Sequence, residues 1–420
     1  MSWKRVKLGD VCSKIGSGAT PKGGSTVYIK QGVSLIRSQN VYNLFFDYNG
    51  LVYINEEAAH KLKGVTIEEN DVLLNITGDS VARTCIVPIE VMPARVNQHV
   101  AIVRPKSNIL NPLFLNYYLA SPFMQAFMLG LAVGKGASRN AMTKDMIAGF
   151  EVPCPSMDIQ LKIVEILKSY DRLIENNRKQ IVLLEEAAQR LYREYFVDLR
   201  FPGHEDVKVI DGVPEGWTRK TVLDCLEMSI GGGWGKESVV GRNVIAGKVI
   251  RGTDINDVKS GEYVNVPLRY HTENDTKKRA LKANDIVFEI SNGNIDNIGR
   301  SLLIDDLILG NCGENTICAS FCKLFRPLDR LHALLLYLEI QDMNASGRMM
   351  LYKKQGSNGI NNFAFNDFIS HEVLVPNKPY HLLLIGRMIE KTSIVREQLS
   401  LLKQARDRLL PKLMRGEQAV

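Results

Sequence analysis

Residues 159–196 read IQLKIVEILKSYDRLIENNRKQIVLLEEAAQRLYREYF, a run with neither glycine nor proline. Stepping alternately by four and three from Ile163 gives Leu167, Tyr170, Ile174, Asn177, Ile181, Leu184, Ala188, Leu191 and Tyr195. Asn177 alone interrupts this apolar seam, and the spacing predicts one long helix with a narrow heptad stripe. Near the other end of the chain the same stepping gives Ile385, Met388, Thr392, Val395, Leu399, Leu402, Arg406, Leu409 and Leu413. A helix of some 38 residues extends about 57 Å, and a single apolar stripe of that length must find another stripe. Each helix could instead dock on its own globule, but seams this long and unbroken favour pairing of the two helices. Asn177 and Arg406 are then the polar positions that fix register at some cost in stability.

Outward from the helices, the chain repeats itself. Trp3 and Trp217 stand 214 residues apart, and the same offset carries Asp10 to Asp224 and Leu35-Ile36-Arg37 to Val249-Ile250-Arg251. It also carries Asn70-Asp71-Val72 to Asn284-Asp285-Ile286. With small drifts, Arg104-Pro105 meets Arg326-Pro327, Tyr118-Leu119 meets Tyr337-Leu338, and Leu183-Leu184 meets Leu401-Leu402. One unit is used twice. Its first part mixes short β-branched runs with a helical patch near residues 112–131 and 329–350. The expected fold class is therefore α+β: two similar globules separated by two long antiparallel coiled-coil helices, with a pseudo-twofold axis. The expected boundaries are a first globule over 1–155, a helix over 156–200, a linker over 201–212, a second globule over 213–376 and a helix over 377–416.

Composition excludes several classes. With 45% hydrophobic and 24% charged residues the chain is an ordinary globular one, and 420 residues call for more than one core. A net charge of +7 permits a polyanionic partner without demonstrating one. Seven cysteines with no CxxC pair, and no signal-like start in Met1–Asp10, fit a reduced, cytosolic compartment. Cys312, Cys318 and Cys322, with His332 beyond, match no common zinc spacing and are expected as buried thiols. The uncharged stretch Ser107–Gly134 is expected to form two short buried helices, with Asn111-Pro112 opening the first and Ser121-Pro122 breaking the run, rather than a membrane span.

No phosphate loop, HExxH or GxSxG is present, and no histidine stands in an acid–base constellation. The chain is expected to catalyse nothing and to hold no cofactor or metal. What recurs instead is polar loop chemistry at equivalent places. Gly16, Gly18, Thr20 and Lys22 lie in one Gly-rich loop, and Gly233 and Lys236 in its counterpart, where backbone N–H groups can approach phosphate. Arg37, Ser38, Gln39 and Asn40 are echoed by Arg251, Thr253 and Asp254, side chains whose donors and acceptors suit base edges in a major groove. Arg139 and Asn140, and Lys353, Lys354, Asn358 and Asn361, complete the candidate DNA-binding set.

Ile15-Gly16-Ser17-Gly18-Ala19-Thr20-Pro21, Leu35-Ile36-Arg37-Ser38-Gln39-Asn40-Val41, Glu69-Asn70-Asp71-Val72-Leu73-Leu74-Asn75 and the junction Val152-Pro153-Cys154-Pro155 before Gln160-Leu161-Lys162-Ile163 occur in that order. In this order, and over essentially its whole length, the chain resembles the specificity subunit of type I restriction–modification enzymes. The second junction departs from the pattern: Val375-Pro376 is followed by His381-Leu382-Leu383 where a Gln is expected. The resemblance implies two target recognition domains reading a bipartite, asymmetric double-stranded DNA target in the cytoplasm, away from any membrane. It implies two methyltransferase subunits carrying S-adenosylmethionine, docked on the long helices, and two motor–nuclease subunits using ATP. The competing readings are a methyltransferase or nuclease with degenerate motifs, and a coiled-coil scaffold with no DNA role.

Overall fold

The computed structural model describes residues 3–133, 141–356 and 359–418. It divides into two compact units, one of residues 1–172 with 403–420 and one of residues 173–402. Both long helices form, over Met157–Tyr192 and Tyr380–Arg415, and each contributes residues to both units. The first is prolonged by a π-helical turn, Arg193–Val197. The second carries Gly386 and Pro411 inside it. A Cβ at Gly386 would stand 2.7 Å from Leu334 Cδ1, so the glycine lets that leucine side chain lie close against the helix.

In the first unit the strands of the two larger sheets are β1 (Cys12–Ser17), β2 (Val33–Ile36), β3 (Val52–Ile54), β4 (Val72–Asn75), β5 (Thr84–Ile86), β6 (Ala94–Val96) and β7 (Val100–Pro105). They build a four-stranded antiparallel sheet in the order β1-β7-β4-β5 and a three-stranded sheet in the order β3-β2-β6, with β2 and β6 parallel. Two helices follow, α1 (Pro112–Ala120) and α2 (Pro122–Ala132). Asn111 caps α1 by accepting from the backbone N–H groups of Leu113 and Phe114, and the break falls at Ser121 as the proline spacing predicts. No helix among the described residues is long and apolar enough to cross a membrane.

The second unit repeats this plan. The strands that match those of the first unit are β8 (Leu226–Gly231), β9 (Ile245–Ile250), β10 (Leu268–His271), β11 (Ile286–Glu289), β12 (Ser301–Leu303), β13 (Ile317–Cys318) and β14 (Cys322–Pro327), and the longest helix of the globule is α3 (Arg330–Ala345). The orders are β8-β14-β11-β12 and β10-β9-β13, again with one parallel pair, β9 with β13. Each of these seven strands of the first unit has its counterpart seven places later, and α3 stands where α1 and α2 stand.

The heptad positions divide among three cores. In the first unit Ile163 and Leu167 pack with Leu413 and half-buried Leu409 and against Phe114 and Leu115 of α1. In the second unit Ile385, with half-buried Met388 and Leu191, joins the core of the second globule. Also in the second unit, Ile174, Ile181, Val395 and Leu399 pack with Leu184 and Leu402 in a cluster formed by the two helices alone. Asn177 is buried and Tyr170 half-buried. Docking on a globule and helix-to-helix pairing are therefore both realised, at different levels of the same seam. The pairing is antiparallel: Asp171 meets Arg406 at 2.9 Å in the first unit, and Glu185 meets Arg396 at 2.5 Å in the second.

Candidate nucleic-acid interface

The Gly-rich loops leave the ends of β1 and β8 and are pinned by their own backbones. The Gly18 N–H donates to Val100 O at 2.9 Å and the Ala19 N–H to Val96 O at 3.0 Å. In the second unit the Gly232 N–H donates to Cys322 O and the Gly233 N–H to Cys318 O, at 3.0 and 2.9 Å. A Cβ would lie 2.1 Å from Val96 O at Gly18 and 2.1 Å from Ala319 O at Gly232. The glycines at these positions serve close backbone passage, and the N–H groups of Gly18 and Gly233 are already committed within the fold. Gly16 lies within β1, opposite Ile102. Thr20 and Lys22 are exposed on the loop that follows, and Lys236 is exposed on the second loop, its backbone paired in both directions with Tyr270.

The two four-residue echoes fold alike. Ser38–Asn40 and Gly252–Asp254 each form one 3-10 turn. Asn40 Oδ1 accepts the Arg37 N–H at 3.0 Å, and Asp254 Oδ2 accepts the Arg251 N–H at 2.9 Å. Asn40 also donates to Asp47 O and Asn49 O, and both side chains are buried. Asn40 and Asp254 therefore hold their turns from within the fold. Their polar side chains resemble base readers in the sequence, but the turn itself consumes them.

The arginines are partly consumed as well. Arg251 grips Asp254 through Nε and NH2 at 2.9 and 2.7 Å, and that hydrogen bonding raises its already high pKa. Arg37 donates to Gly50 O at 2.6 Å and lies 5.6 Å from the Tyr28 ring centre. Ser38 is half-buried, whereas Gln39 and Thr253 are exposed at the crests of the two turns.

Further along the second globule, Lys353 and Lys354 form a short strand beside Asn361–Phe363. The Lys353 ammonium is half-buried against Asp296 O at 3.3 Å, and burial lowers its pKa. Lys354 is exposed and pairs with Asp367 at 3.2 Å, while Asn361 donates to Gly293 O at 2.9 Å. Arg139, Asn140 and Asn358 lie outside the described residues.

Sequence reading missed two cation–aromatic pairs in which the ring is exposed and the arginine half-buried. Arg269 stacks 4.7 Å from the Trp234 ring beside the second Gly-rich loop, and Arg83 stacks 4.5 Å from Tyr42 in the first globule. An aromatic set inside a glycine run, Gly233-Trp234-Gly235, was the available signal for the first. Nothing in the sequence places Arg83 over Tyr42. Among the described residues no group of three or more His, Cys, Asp or Glu is arranged to hold a metal ion. All of Cys312, Cys318 and Cys322 are buried free thiols.

Comparison with known proteins bears on what such an arrangement belongs to. Residues 1–186 match the family described as type I restriction modification DNA specificity domain. The type I restriction enzyme MjaIX specificity subunit of Methanocaldococcus jannaschii is 23% identical over 433 aligned positions, covering 99% of this chain and 93% of that protein. The EcoBI specificity subunit of Escherichia coli is 30% identical over 154 positions, 36% of this chain and 31% of its own. Among solved structures, the type I restriction-modification S subunit from M. genitalium shares the fold with a TM-score of 0.56 at 13% identity, over 98% of this chain and 96% of that one.

Proposed function

Since the chain belongs to the specificity-subunit family of type I restriction–modification systems, we propose that it chooses the DNA site on which partner subunits act. In this reading residues 1–155 and 213–376 are target recognition domains. Each reads one half of a bipartite, asymmetric duplex sequence. The helices over 156–200 and 377–416 carry two methyltransferase subunits, which bring S-adenosylmethionine and extrude an adenine from the stack. Two ATP-using motor–nuclease subunits complete the assembly in the cytoplasm. This chain selects, and the chemistry lies on its partners.

One observation carries the reading: both globules share a single strand plan, yet equivalent exposed turn positions hold different side chains. Gln39 in the first globule stands where Thr253 stands in the second. A common scaffold with unlike exposed residues suits two half-sites of unlike sequence. The excess of Lys and Arg supplies the sequence-independent attraction to phosphate.

The test is methylome sequencing of a host carrying this chain with its methyltransferase subunits. A single bipartite motif with a fixed gap is expected. Inserting about four residues, roughly one helical turn, near Ser169 is expected to alter that gap or abolish assembly. Methylation of the original motif with its original gap after such an insertion would contradict the spacing role.

A further inference from the structure

The seam between the two long helices distributes its charges unequally. Two half-buried acids that cross it, Asp171 and Glu185, lie on the first long helix. Both arginines that meet them, Arg406 and Arg396, lie on the second. Arg396 is only 8% exposed, so its charge is largely out of water and depends on its partner. Asp171 is held additionally by Tyr117, whose hydroxyl donates to Oδ2 at 2.5 Å, and Arg406 is held additionally by Asp407.

The internal repeat shows what like-with-like pairing would do. Leu183-Leu184 corresponds to Leu401-Leu402, so Glu185 corresponds to Lys403 and Asp171 to Ile389; likewise Arg396 corresponds to Arg178 and Arg406 to Ala188. If the second long helix met a copy of itself in the observed geometry, Arg396 would face Lys403 and Arg406 would face Ile389. A buried arginine would lose its acid and gain a like charge, which is strongly unfavourable away from water. Two first helices would keep Glu185 opposite Arg178 but leave Asp171 opposite Ala188. The rejection is therefore built mainly into the second helix.

We propose that the seam is a charge-coded interface between unlike halves, in which the arginine-bearing second long helix accepts an acid-bearing helix and rejects another copy of itself. The unit is a tandem repeat with an apolar seam on both helices, and an apolar stripe alone would not distinguish self from other. The charges supply that distinction.

The test uses the full chain. The variant D171R/E185R places arginines on both sides of the seam, and R396E/R406D places acids on both sides. Each is expected to melt about 5 °C or more below the parent chain. The fourfold variant D171R/E185R/R396E/R406D restores opposite charges and is expected to recover at least half of that loss as a monomer. Tyr117 meets the same substituted position in the fourfold variant as in D171R/E185R, so comparing those two isolates the charge pairing. Co-expressed, the two double variants are expected to exchange helices and form a one-to-one complex of twice the monomer mass by light scattering. A fourfold variant no more stable than either double variant, or co-expressed chains that never associate, would overturn the proposal.

Discussion

Arg104 holds Asp71 through two parallel hydrogen bonds, Nε to Oδ1 at 2.6 Å and NH2 to Oδ2 at 2.7 Å, with the carboxylate wholly removed from solvent. Arg326 holds Asp285 in the same way in the second globule, at 2.9 and 2.7 Å. In each, the residue before the aspartate is an asparagine with positive φ, Asn70 at 67° and Asn284 at 73°. The aspartate also accepts a backbone N–H from three residues earlier, Glu68 or Lys282. The pair thus joins the entry of β4 to β7 and the entry of β11 to β14. Removing one partner leaves the other charge buried, which costs about 3–5 kcal/mol. Asp71→Ala is therefore expected to lower the denaturation midpoint sharply. In the second globule, Asp285→Ala should do the same, as read by urea unfolding.

Gly16, in β1, and Gly18, in the loop that follows it, should respond oppositely to the same change. At Gly18 a Cβ would meet Val96 O at 2.1 Å, and at Gly16 it would meet nothing within 4 Å. A backbone oxygen cannot swing aside as a side chain can, so Gly18→Ala is expected to cost about 1–3 kcal/mol. Gly16→Ala sits in a strand and is expected to be neutral or slightly stabilising, because alanine has less freedom to lose on folding. Thermal melts of the two variants distinguish a steric need for glycine from a need for flexibility.

The repeat offset made much of this fold legible. Asn70-Asp71 and Arg104-Pro105 each have echoes in the sequence, and the structure joins the first pair to the second in both globules. The helical seams were legible because heptad spacing survives any loop drift, and the two-helix reading of Ser107–Gly134 followed from proline geometry. What stayed hidden was which polar side chains the fold consumes. Asn40 and Asp254 look like base readers because residue type carries no record of burial, and only the backbone shows that each caps its own turn. Which seam positions dock on a globule and which meet only the other helix was equally unreadable, since all these environments ask for the same apolar residues.

Acid should loosen the second globule through Glu339. Burial works to raise this carboxyl's pKa. It is outweighed by the hydrogen bond from His371 at 2.9 Å, the nearby Arg348 charge and the Tyr192 hydroxyl at 2.8 Å, so the pKa lies below its ordinary value of 4.5. A folded-state pKa lower than the unfolded one contributes stability that is present above the unfolded value and lost as pH falls through the folded one. The chain is therefore expected to lose stability as the pH drops from about 5 to below 4. Glu339→Gln cannot make this titration. It should be less stable at pH 7, and its melting temperature should fall less steeply across the same window.

The crests and the bases of the two 3-10 turns should separate recognition from folding. Gln39 and Thr253 are exposed, and no buried network depends on either; Gln39 makes one long contact, 3.4 Å to Gly50 O. Asn40 and Asp254 lie one residue further on, are buried, and fix the backbone of Arg37 and Arg251. If the turns present side chains to base edges, Gln39→Ala should change the preference for one half of the target and Thr253→Ala the other, each with a melting temperature unchanged. A lost base contact of this kind is worth about 1–3 kcal/mol of discrimination, enough to appear as relaxed motif choice in a methylome. Asn40→Ala should instead destabilise its globule and lower methylation of every site together. Asp254→Ala strips both the turn and the Arg251 guanidinium of their acceptor, so its loss of stability should be the larger of the two. A Gln39→Ala chain that melts normally and methylates an unchanged motif at unchanged occupancy would remove this turn from the reading surface.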